Sequence, residues 1–413
     1  MKPTLVYDGG CGFCKRWVSR WRHLTGDAVG YEPSSEAAKR FPQIPAEAFD
    51  RAVQFVDLDG SVSEGARGVF KALEHAPWPA PLASAAYRSF PPFAAASEAC
   101  YGAVARNRAA ASQVTRWLWG DEDAPSTFHL GRWLFLKGMA LCYLAAFLSF
   151  AAQWDGLVGS KGIAPAAELL ARARGLLGGT VWLDLPSLFW LTGASDAALA
   201  AAPWLGAAVS LLVLAGFAPA AGLAALWVLY LSVYSVGSVF LGFQWDVLLL
   251  EAGFLAVLAA PWGLRPTLAS ERAPDGVPLW LVRWLWFRLM FLAGAVKLAS
   301  GDPVWWDLSA LRFHFETQPL PHALSWYAHW LPAWLQRAGC GGMFFAELVL
   351  PFAAFLPRRP RLAAFFGVNG LMALVILTGN YTFFNLLAMA LSFPLLDDAQ
   401  WGKVLPFLRA RLE

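Results

Sequence analysis

The two cysteines of a Cys-Gly-Phe-Cys sequence, Cys11 and Cys14, are the residues of this chain whose spacing most clearly allows chemistry. Residues 4–7 predict a short β-strand, residues 8–10 (Asp-Gly-Gly) a turn, and residues 15–24 a helix with an apolar face. Cys11 would then lie at the N-terminus of the helix, where the helix dipole favours the thiolate. Cys14, one turn further on, could resolve a mixed disulfide. The pattern therefore predicts a dithiol redox centre.

Two other interpretations of these cysteines stay open. A Cys-x-x-Cys sequence can be half of a zinc site, but the chain has no second one, and His23 and His75 are isolated, so we predict no metal. The two thiols could also be buried and inert. We favour dithiol chemistry because the cysteines stand between a predicted strand and a predicted helix.

The sequence around the cysteines is similar to the motifs of a known family. The segment YDGGCGFC resembles the signature of the DCC family of thiol-disulfide oxidoreductases, named for an Asp and two Cys, here Asp8, Cys11 and Cys14. Residues 101–108, YGAVARNR, are similar to the closing motif of that family. The resemblance covers about residues 3–110. It implies a thioredoxin-like fold, a catalytic role for the three named residues and a thiol redox partner, and it leaves the client protein open.

The segment between the two motifs predicts the remaining elements of a small α/β domain. Residues 54–57 and 61–63 flank a Leu-Asp-Gly turn and predict a β-hairpin. A helix is expected over residues 65–74. This part of the chain also holds clusters of Lys and Arg, which are typical of a domain in water.

The whole chain is too apolar for an ordinary soluble enzyme. Its 413 residues are 58% hydrophobic and 15% charged, with 22 Trp, whereas soluble domains average roughly 45–50% apolar and about 25% charged residues. The net charge of +3 gives no electrostatic case for nucleic acid. Five Cys in a chain of this length do not make a disulfide scaffold.

The apolar excess begins after residue 130 and recurs in runs long enough to cross a membrane. A helix needs roughly 20 apolar residues to cross about 30 Å of hydrocarbon, and helices satisfy their own backbone there. We predict about eight transmembrane helices in contact with the lipid bilayer. Their ranges are 131–150, 200–219, 222–241, 246–262, 283–300, 341–356, 362–378 and 382–396.

The basic residues predict the orientation of these spans. The start of the chain, MKPTLVYDGG, lacks the features of a signal peptide, so we expect the N-terminal domain and, after eight spans, the C-terminus in the cytoplasm. The loops on that side are the richer in basic residues, in agreement with the positive-inside rule. Those basic residues are Arg265, Arg272, Arg358, Arg359, Arg361, Lys403, Arg409 and Arg411.

The apolar region carries a second resemblance, to the lipase maturation factor family, over about residues 131–398. The words that carry it are GLVGSKGIAP at 156–165, WDVLLLEAGF at 245–254, the long segment 288–331, and LTGNYTFFN at 377–385. The family implies a polytopic membrane protein that assists the maturation of secreted lipases, and hence a secreted protein client. Because this chain carries the redox domain and ends soon after the last span, we expect a prokaryotic inner-membrane protein.

Polar and aromatic residues are dense in the predicted extracytoplasmic loop after residue 300. They suggest a working surface, although an interfacial belt of Trp and Tyr would have the same composition. The residues singled out are Trp305, Trp306, Asp307, His314, Glu316 and His329.

Ionisable residues inside the predicted spans are costly and indicate function or internal pairing. Lys297 is predicted to contact Glu251 or Glu347, because the three lie at similar predicted depth. Arg288 and Asp246 complete this membrane polar cluster. Lys297 could also reach the membrane surface with its long side chain.

A short word around Lys297, AGAVKL at 293–298, is similar to the segment with the catalytic lysine of vitamin K-dependent gamma-carboxylase. That resemblance implies a lysine base beside a quinone site. No carboxylation is predicted, and no cofactor is fixed by the sequence, with a quinone or a lipid as the candidates.

The sequence thus predicts two domains of different class. A thioredoxin-like α/β domain occupies residues 1–110, a linker 111–128, an all-α transmembrane bundle 129–398 and a short cytoplasmic tail 399–413. The favoured function is a membrane maturation factor with thiol-disulfide oxidoreductase capacity. The alternative is a membrane enzyme related to the carboxylase group, and transport is weaker because no inverted repeat of broken helices is visible.

Overall fold

The computed structural model describes residues 2–409 except 79, 121–124, 269–273, 275, 319 and 321. The chain divides into two compact units, Met1–Ser126 and Thr127–Glu413. The predicted basic residues Arg272 and Arg411, part of the predicted linker and the last four residues of the predicted tail lie outside the described residues.

The first unit is built on a four-stranded mixed sheet with the strand order β2-β1-β3-β4. The strands are β1 (Thr4–Tyr7), β2 (Gly30–Pro33), β3 (Gln54–Val56) and β4 (Val62–Glu64). Strand β1 pairs in parallel with β2 and antiparallel with β3, and β3 and β4 form the predicted antiparallel hairpin. Successive side chains of β1 enter separate apolar clusters, Leu5 in one and Val6 in the other, because residues alternate between the two faces of a strand.

Seven helices of the described residues accompany this sheet. They are α1 (Gly12–Thr25), α2 (Ser34–Ala37), α3 (Ala46–Arg51), α4 (Gly65–Leu73), α5 (Ala80–Ser89), α6 (Pro91–Arg106) and α7 (Arg108–Trp119). Helix α1 begins three residues before the predicted start, and α4 agrees with the predicted helix over 65–74. Helix α7 occupies much of the segment that the sequence predicts as a linker, and its side chain Trp119 contacts Trp17 with ring centroids 5.5 Å apart.

The second unit contains helices and no β-strand within its described residues. Its helices are α8 (His129–Ala151), α9 (Trp154–Val158), α10 (Ala166–Leu177), α11 (Val181–Asp184), α12 (Phe189–Thr192), α13 (Asp196–Leu214), α14 (Pro219–Gly237), α15 (Gln244–Ala259), α16 (Gly276–Ala299), α17 (Pro303–Trp306), α18 (Leu311–Thr317), α19 (Ala323–His329), α20 (Ala333–Phe344), α21 (Arg358–Thr378), α22 (Phe384–Ser392), α23 (Asp398–Val404) and α24 (Pro406–Arg409). A π-helical turn (Phe345–Val349) and a 3₁₀ turn (Leu350–Phe355) extend α20.

Within the described residues, six helical segments are long and apolar enough to cross a membrane. They are His129–Ala151, Asp196–Leu214, Pro219–Gly237, Gly276–Ala299, Ala333–Phe355 and Arg358–Thr378. The fourth and eighth predicted spans also form apolar helices, α15 and Phe384–Leu395, but these are shorter. The prediction of helices long and apolar enough to cross a membrane is therefore confirmed for six segments of the described residues, and the predicted count of eight is not confirmed.

Helix ends of the second unit meet in two groups. In one group, Arg283 in the first half of α16 donates to the carbonyl oxygen of Pro394 from both Nε and Nη2 (3.0 and 2.8 Å). Arg358 at the start of α21 pairs with Asp397, and Ala218 before α14 donates to Leu264 after α15 (2.8 Å). We call this the basic end.

The other ends meet at what we call the opposite end. There the carboxylate of Asp196, at the start of α13, accepts from the backbone and the hydroxyl of Ser160 (2.8 and 2.6 Å). Gln318 donates from Nε2 to the carbonyl oxygen of Thr378 (3.1 Å), at the end of α21. Helices that are neighbours in sequence thus run in alternating directions between the two ends.

Candidate functional site

The predicted dithiol lies at the N-terminus of α1. Cys11 is the N-cap residue of this helix, and its sulfur accepts a hydrogen bond from the backbone N–H of Cys14 (3.4 Å). A polar side chain at this position satisfies one of the free N–H groups of the first turn. The preceding turn needs Gly9, because a Cβ there would stand 2.8 Å from the Cβ of Pro33. Both sulfurs are free thiols, and both residues are half-buried.

Asp8 reaches the dithiol from the end of β1 and is fixed by an ion pair. Its Oδ1 accepts from the backbone N–H of Gly10 (2.8 Å), which shapes the turn before Cys11. Its Oδ2 accepts from Nη1 of Arg108 (2.8 Å), and Nη2 of Arg108 donates to the carbonyl oxygen of Asp50 (2.7 Å). Arg108 lies in the quoted closing motif, but its pairing with Asp8 is information that sequence spacing alone does not contain.

Cys14 faces a pocket lined largely by aromatic side chains. Burial and the neighbouring Cys11 raise the pKa of Cys14 from 9.0 to about 12, while the charge of Arg108 acts in the opposite direction. The thiol of Cys14 is therefore held neutral at physiological pH. The aromatic residues of the pocket are Phe13, Trp17, Trp21, Phe49 and Tyr101, and Asp8 and Arg108 complete its lining.

In the second unit the predicted ion pair of Lys297 is present, and its partner is Glu347. Nζ of Lys297 lies 2.8 and 2.7 Å from the two carboxylate oxygens of Glu347. The Glu347 side chain is 8% exposed and that of Lys297 24%. Glu347 lies on the π-helical turn after α20, a distortion that is frequent at functional sites. The ring of Trp305 completes the surroundings, 5.8 Å from Nζ.

The remaining members of the predicted membrane polar cluster form two other pairs. Glu251 pairs with Arg288, and Asp246 accepts from the hydroxyl of Tyr230 (2.6 Å). The prediction that Glu251 lies at the same depth as Lys297 is wrong. Glu251 lies half-way along α15, whereas Lys297 is two residues from the end of α16. Depth along a helix changes by 1.5 Å per residue, so the cluster is divided.

Three residues of the predicted loop surface make defined contacts. A carboxylate oxygen of Glu316 lies 2.9 Å from Nε2 of His329. His314 stacks on Tyr381, with the ring planes 3° apart, and its Nε2 lies 3.4 Å from the Tyr381 hydroxyl. Burial and the charge of Lys297 lower the pKa of His314, so the neutral imidazole is favoured. Tyr381 lies in the segment LTGNYTFFN at 377–385, which carries the family resemblance, but it was not among the predicted site residues.

The other loop residues differ in exposure. Asp307 accepts from the backbone N–H of Ser309 (2.8 Å), and the hydrogen bonds from Ser309 lower the pKa of Asp307. Trp305 packs edge-on against Phe344 with centroids 6.1 Å apart, whereas Trp306 is 66% exposed. The loop is therefore folded into short helices that leave part of its aromatic surface open.

Comparison with known families agrees with two of the three resemblances. Residues 130–403 match the model of the lipase maturation factor transmembrane domain. Residues 5–114 match the model of DCC1-like thiol-disulfide oxidoreductases. The resemblance of residues 293–298 to gamma-carboxylase is not shown by these matches.

Curated relatives match the membrane part of the chain. Lipase maturation factor 2 of Gallus gallus is 46% identical over 283 residues, which are 66% of this chain and 39% of that protein. The protein of the same name from Homo sapiens is 46% identical over 286 residues, 65% of this chain and 40% of that protein. Lipase maturation factor 1 of Bos taurus is 36% identical over 299 residues, 70% of this chain and 52% of that protein.

The chain spans between about two fifths and one half of the length of these relatives. They are eukaryotic proteins and give no support to the expected prokaryotic origin. No solved structure matches the chain.

Proposed function

Because the chain belongs to the lipase maturation factor family, we propose that it is a membrane factor for the maturation of secreted, lipase-like proteins, and that its N-terminal unit exchanges disulfides through Cys11 and Cys14. One observation carries this proposal. A single chain joins the transmembrane domain of the family to a Cys-x-x-Cys whose first cysteine caps a helix.

The N-terminal unit is, in this proposal, a thioredoxin-like domain. The parallel β1-α1-β2 unit, the antiparallel hairpin β3–β4 and the following helix α4 support it. In that arrangement the cysteines stand at the end of the sheet where β1 leads into α1. The aromatic pocket beside Cys14 is then the surface on which a client segment would rest next to the reacting sulfurs.

The proposed exchange proceeds in two attacks. The thiolate of Cys11 attacks one sulfur of a client disulfide, forms a mixed disulfide and releases one client thiolate. Cys14 then loses its proton and attacks the sulfur of Cys11, which releases the second client thiolate and leaves a disulfide between Cys11 and Cys14. Two electrons pass to the client, and a thiol redox partner returns them before the next cycle. Running in reverse, the same steps introduce a disulfide.

Asp8 and Arg108 are proposed to act on the second attack. The high pKa of Cys14 makes deprotonation the difficult part of that step, and the guanidinium of Arg108 opposes the rise. Asp8 holds Arg108 beside the dithiol and offers a carboxylate in the same pocket to receive a proton.

The second unit is proposed to cross the membrane eight times, with its basic end in the cytoplasm. The alternating helix directions support eight crossings, since α15 and α22 each connect the two ends. The excess of Arg at the basic end supports the orientation. The loop between α16 and α20 then lies on the other side of the membrane from the N-terminal dithiol, so a secreted client meets Cys11 before its export and this loop after it. The Lys297–Glu347 pair lies beneath the loop. A base role for Lys297 remains a prediction.

Trapping of the mixed disulfide tests the redox proposal. In a Cys14→Ala variant the second attack cannot occur, so a client should stay bound to Cys11 through a bond that dithiothreitol cleaves. Cys11→Ala should trap nothing, and Cys100→Ala, which removes the exposed thiol of α6, should behave like the wild type. Absence of any mixed disulfide from both single variants would refute the redox role.

The orientation has its own test. A reporter enzyme that is active only outside the cytoplasm should be active when it is fused after Leu320. The same reporter should be inactive when it is fused after Lys403. The opposite pair of results would invert the proposed topology.

A further inference from the structure

We propose that the surface formed by α15 and α16 is a two-fold symmetric interface with a second copy of this chain, centred on the ion pair between Arg288 and Glu251. The pair itself is made by one nitrogen of the guanidinium and one carboxylate oxygen. The position of the pair along the two helices and the exposure of its side chains indicate that another molecule covers this surface.

The pair lies at the middle of α15 and α16, which the topology proposed above places across the membrane. Glu251 is the eighth of the 16 residues of α15, and Arg288 is the thirteenth of the 24 residues of α16. At 1.5 Å per residue both lie on the order of 10–18 Å from either end of their helices. This is the depth at which a bilayer contains hydrocarbon and no water.

The pair is also at the surface of the isolated chain. The side chain of Arg288 is 40% exposed and that of Glu251 43%, whereas Glu347 in the pair with Lys297 is only 8% exposed. Charged side chains at this depth nearly always face protein or a water-filled cavity, because hydrocarbon solvates them poorly. The exposed fraction therefore indicates a surface that is covered in the membrane.

The face around the pair is apolar and is suited to helix packing. On α15 the exposed residues one turn either side of Glu251 are Val247 and Phe254, each about half exposed at 49% and 51%. On α16, Trp284 and Leu292 flank Arg288 in the same way, with 42% and 48% exposed. Such a face supplies van der Waals contact, and the central charges supply the polar interaction that holds transmembrane helices together.

A second copy is the occupant that the charges favour. In a two-fold interface the same patch occurs on both sides and must be complementary to itself. One cation and one carboxylate side by side meet this condition, because the rotation places Arg288 of each copy over Glu251 of the other. Each guanidinium has five N–H donors, so it can bond both carboxylates. The four charges then form a closed, neutral network that neither copy exposes to lipid.

Cross-linking in native membranes tests the interface without altering its charges. In a chain with Cys11, Cys14 and Cys100 replaced by Ser, Phe254→Cys should give a disulfide-linked dimer under mild oxidation. Phe345→Cys, equally exposed at 54% but on the π-helical turn, is the matched control and should stay monomeric. Failure of Phe254→Cys to cross-link, or equal cross-linking of both variants, would overturn the proposal.

Charge reversal tests the role of the pair in the purified full chain. Arg288→Glu and Glu251→Arg should each weaken the dimer by about a hundredfold, because like charges then meet across the axis. The double variant Arg288→Glu with Glu251→Arg restores complementarity and should restore the dimer, as measured by light scattering in detergent. A wild-type chain that is monomeric at all concentrations, or a dimer indifferent to both single reversals, would contradict the interface. If a single reversal does not fold, the cross-linking result decides.

Discussion

Two ion pairs join residues that are far apart in sequence, one in each unit, and they differ in what surrounds them. Asp8 and Arg108 border solvent with 30% and 26% of their side chains exposed. Lys297 and Glu347 are more enclosed, with 24% and 8% exposed. The first pair stands beside two reactive thiols, while the second has an aromatic ring and a π-helical turn around it.

The difference in burial decides what each pair contributes. An exposed pair gains little because water competes for both charges. A buried pair is a poor source of net stability, yet its loss on one side is costly because the other charge is left without a partner. The pair near the dithiol is therefore expected to act mainly on chemistry, and the pair in the bundle mainly on structure. Four experiments can break or sharpen this contrast.

The largest effect is expected from Glu347→Gln. This change leaves the half-buried ammonium of Lys297 without a counter-charge, which costs about 3 kcal/mol of the free energy of unfolding, the lower end of the range for a fully buried pair. Unfolding by dodecyl sulfate in mixed micelles measures the loss. The double change Lys297→Met with Glu347→Gln removes both charges and should recover much of it.

The result also separates pairing from catalysis. If Lys297 acts as a base, Lys297→Met should keep the fold but lose function, with no rescue by the double change. A Glu347→Gln variant as stable as the wild type would show that Lys297 does not need its partner and would remove the contrast between the two units.

The second experiment compares the two thiols of the active-site turn. Because the pKa of Cys14 is raised from 9.0 to about 12, little of its thiolate is present at pH 7. The higher nucleophilicity of that thiolate offsets only part of the loss in reaction rate. Iodoacetamide should therefore modify Cys14 about thirtyfold more slowly than an ordinary exposed thiol, and Cys11 should react first. Peptide mapping by mass spectrometry distinguishes the sites, with exposed Cys100 as the internal reference.

The pH dependence follows from the same shift. The folded chain favours the neutral thiol of Cys14, so this contribution to stability is complete below pH 9 and is lost as the pH rises towards 12. Reduced wild type should lose stability over that range more steeply than Cys14→Ala. Faster reaction of Cys14 than of Cys11, or protection of both by zinc, would overturn the redox assignment.

These two sites were predictable from sequence to different degrees. A helix after Asp8-Gly9-Gly10 with Cys11 at its N-terminus follows from local turn and capping rules, and the structure has both, although the helix begins three residues earlier than predicted. The partner of Asp8 is 100 residues away, and only the packing of α6 and α7 brings Arg108 to it. No local rule contains that distance.

In the membrane unit, apolar periodicity predicts where helices lie but not which faces meet. Lys297 needed a carboxylate on physical grounds, and two candidates existed. Glu347 is the partner because it lies at the same depth in the bundle as Lys297, and Glu251 does not. The depth of a residue depends on where its helix ends, and hydropathy predicts helix ends only to within a turn. The π-helical turn that presents Glu347 has no sequence signal that we can identify.

A third, smaller effect is expected from Arg108→Met. Loss of the guanidinium removes a charge that lowers the pKa of Cys14. Closure of the Cys11–Cys14 disulfide should therefore slow by about fivefold, because a partly exposed charge contributes roughly 1 kcal/mol. Stopped-flow quenching of tryptophan fluorescence after a disulfide oxidant measures the rate. Arg106→Met, an exposed arginine two residues earlier, is the matched control and should not change it. An equal slowing in both variants would point to a general loss of helix stability.

The smallest effect is expected from Glu316→Gln, the same chemical change as Glu347→Gln made in a pair at the same end of the bundle. Glu316 lies 2.9 Å from Nε2 of His329, but 61% of its side chain is exposed, so water already solvates the carboxylate. Removing the charge should cost at most about 1 kcal/mol of the free energy of unfolding. The same mixed-micelle titration gives both values, and their difference isolates the effect of burial from that of the substitution. A loss at Glu316 as large as that at Glu347 would mean that solvent exposure does not set the worth of an ion pair in this chain.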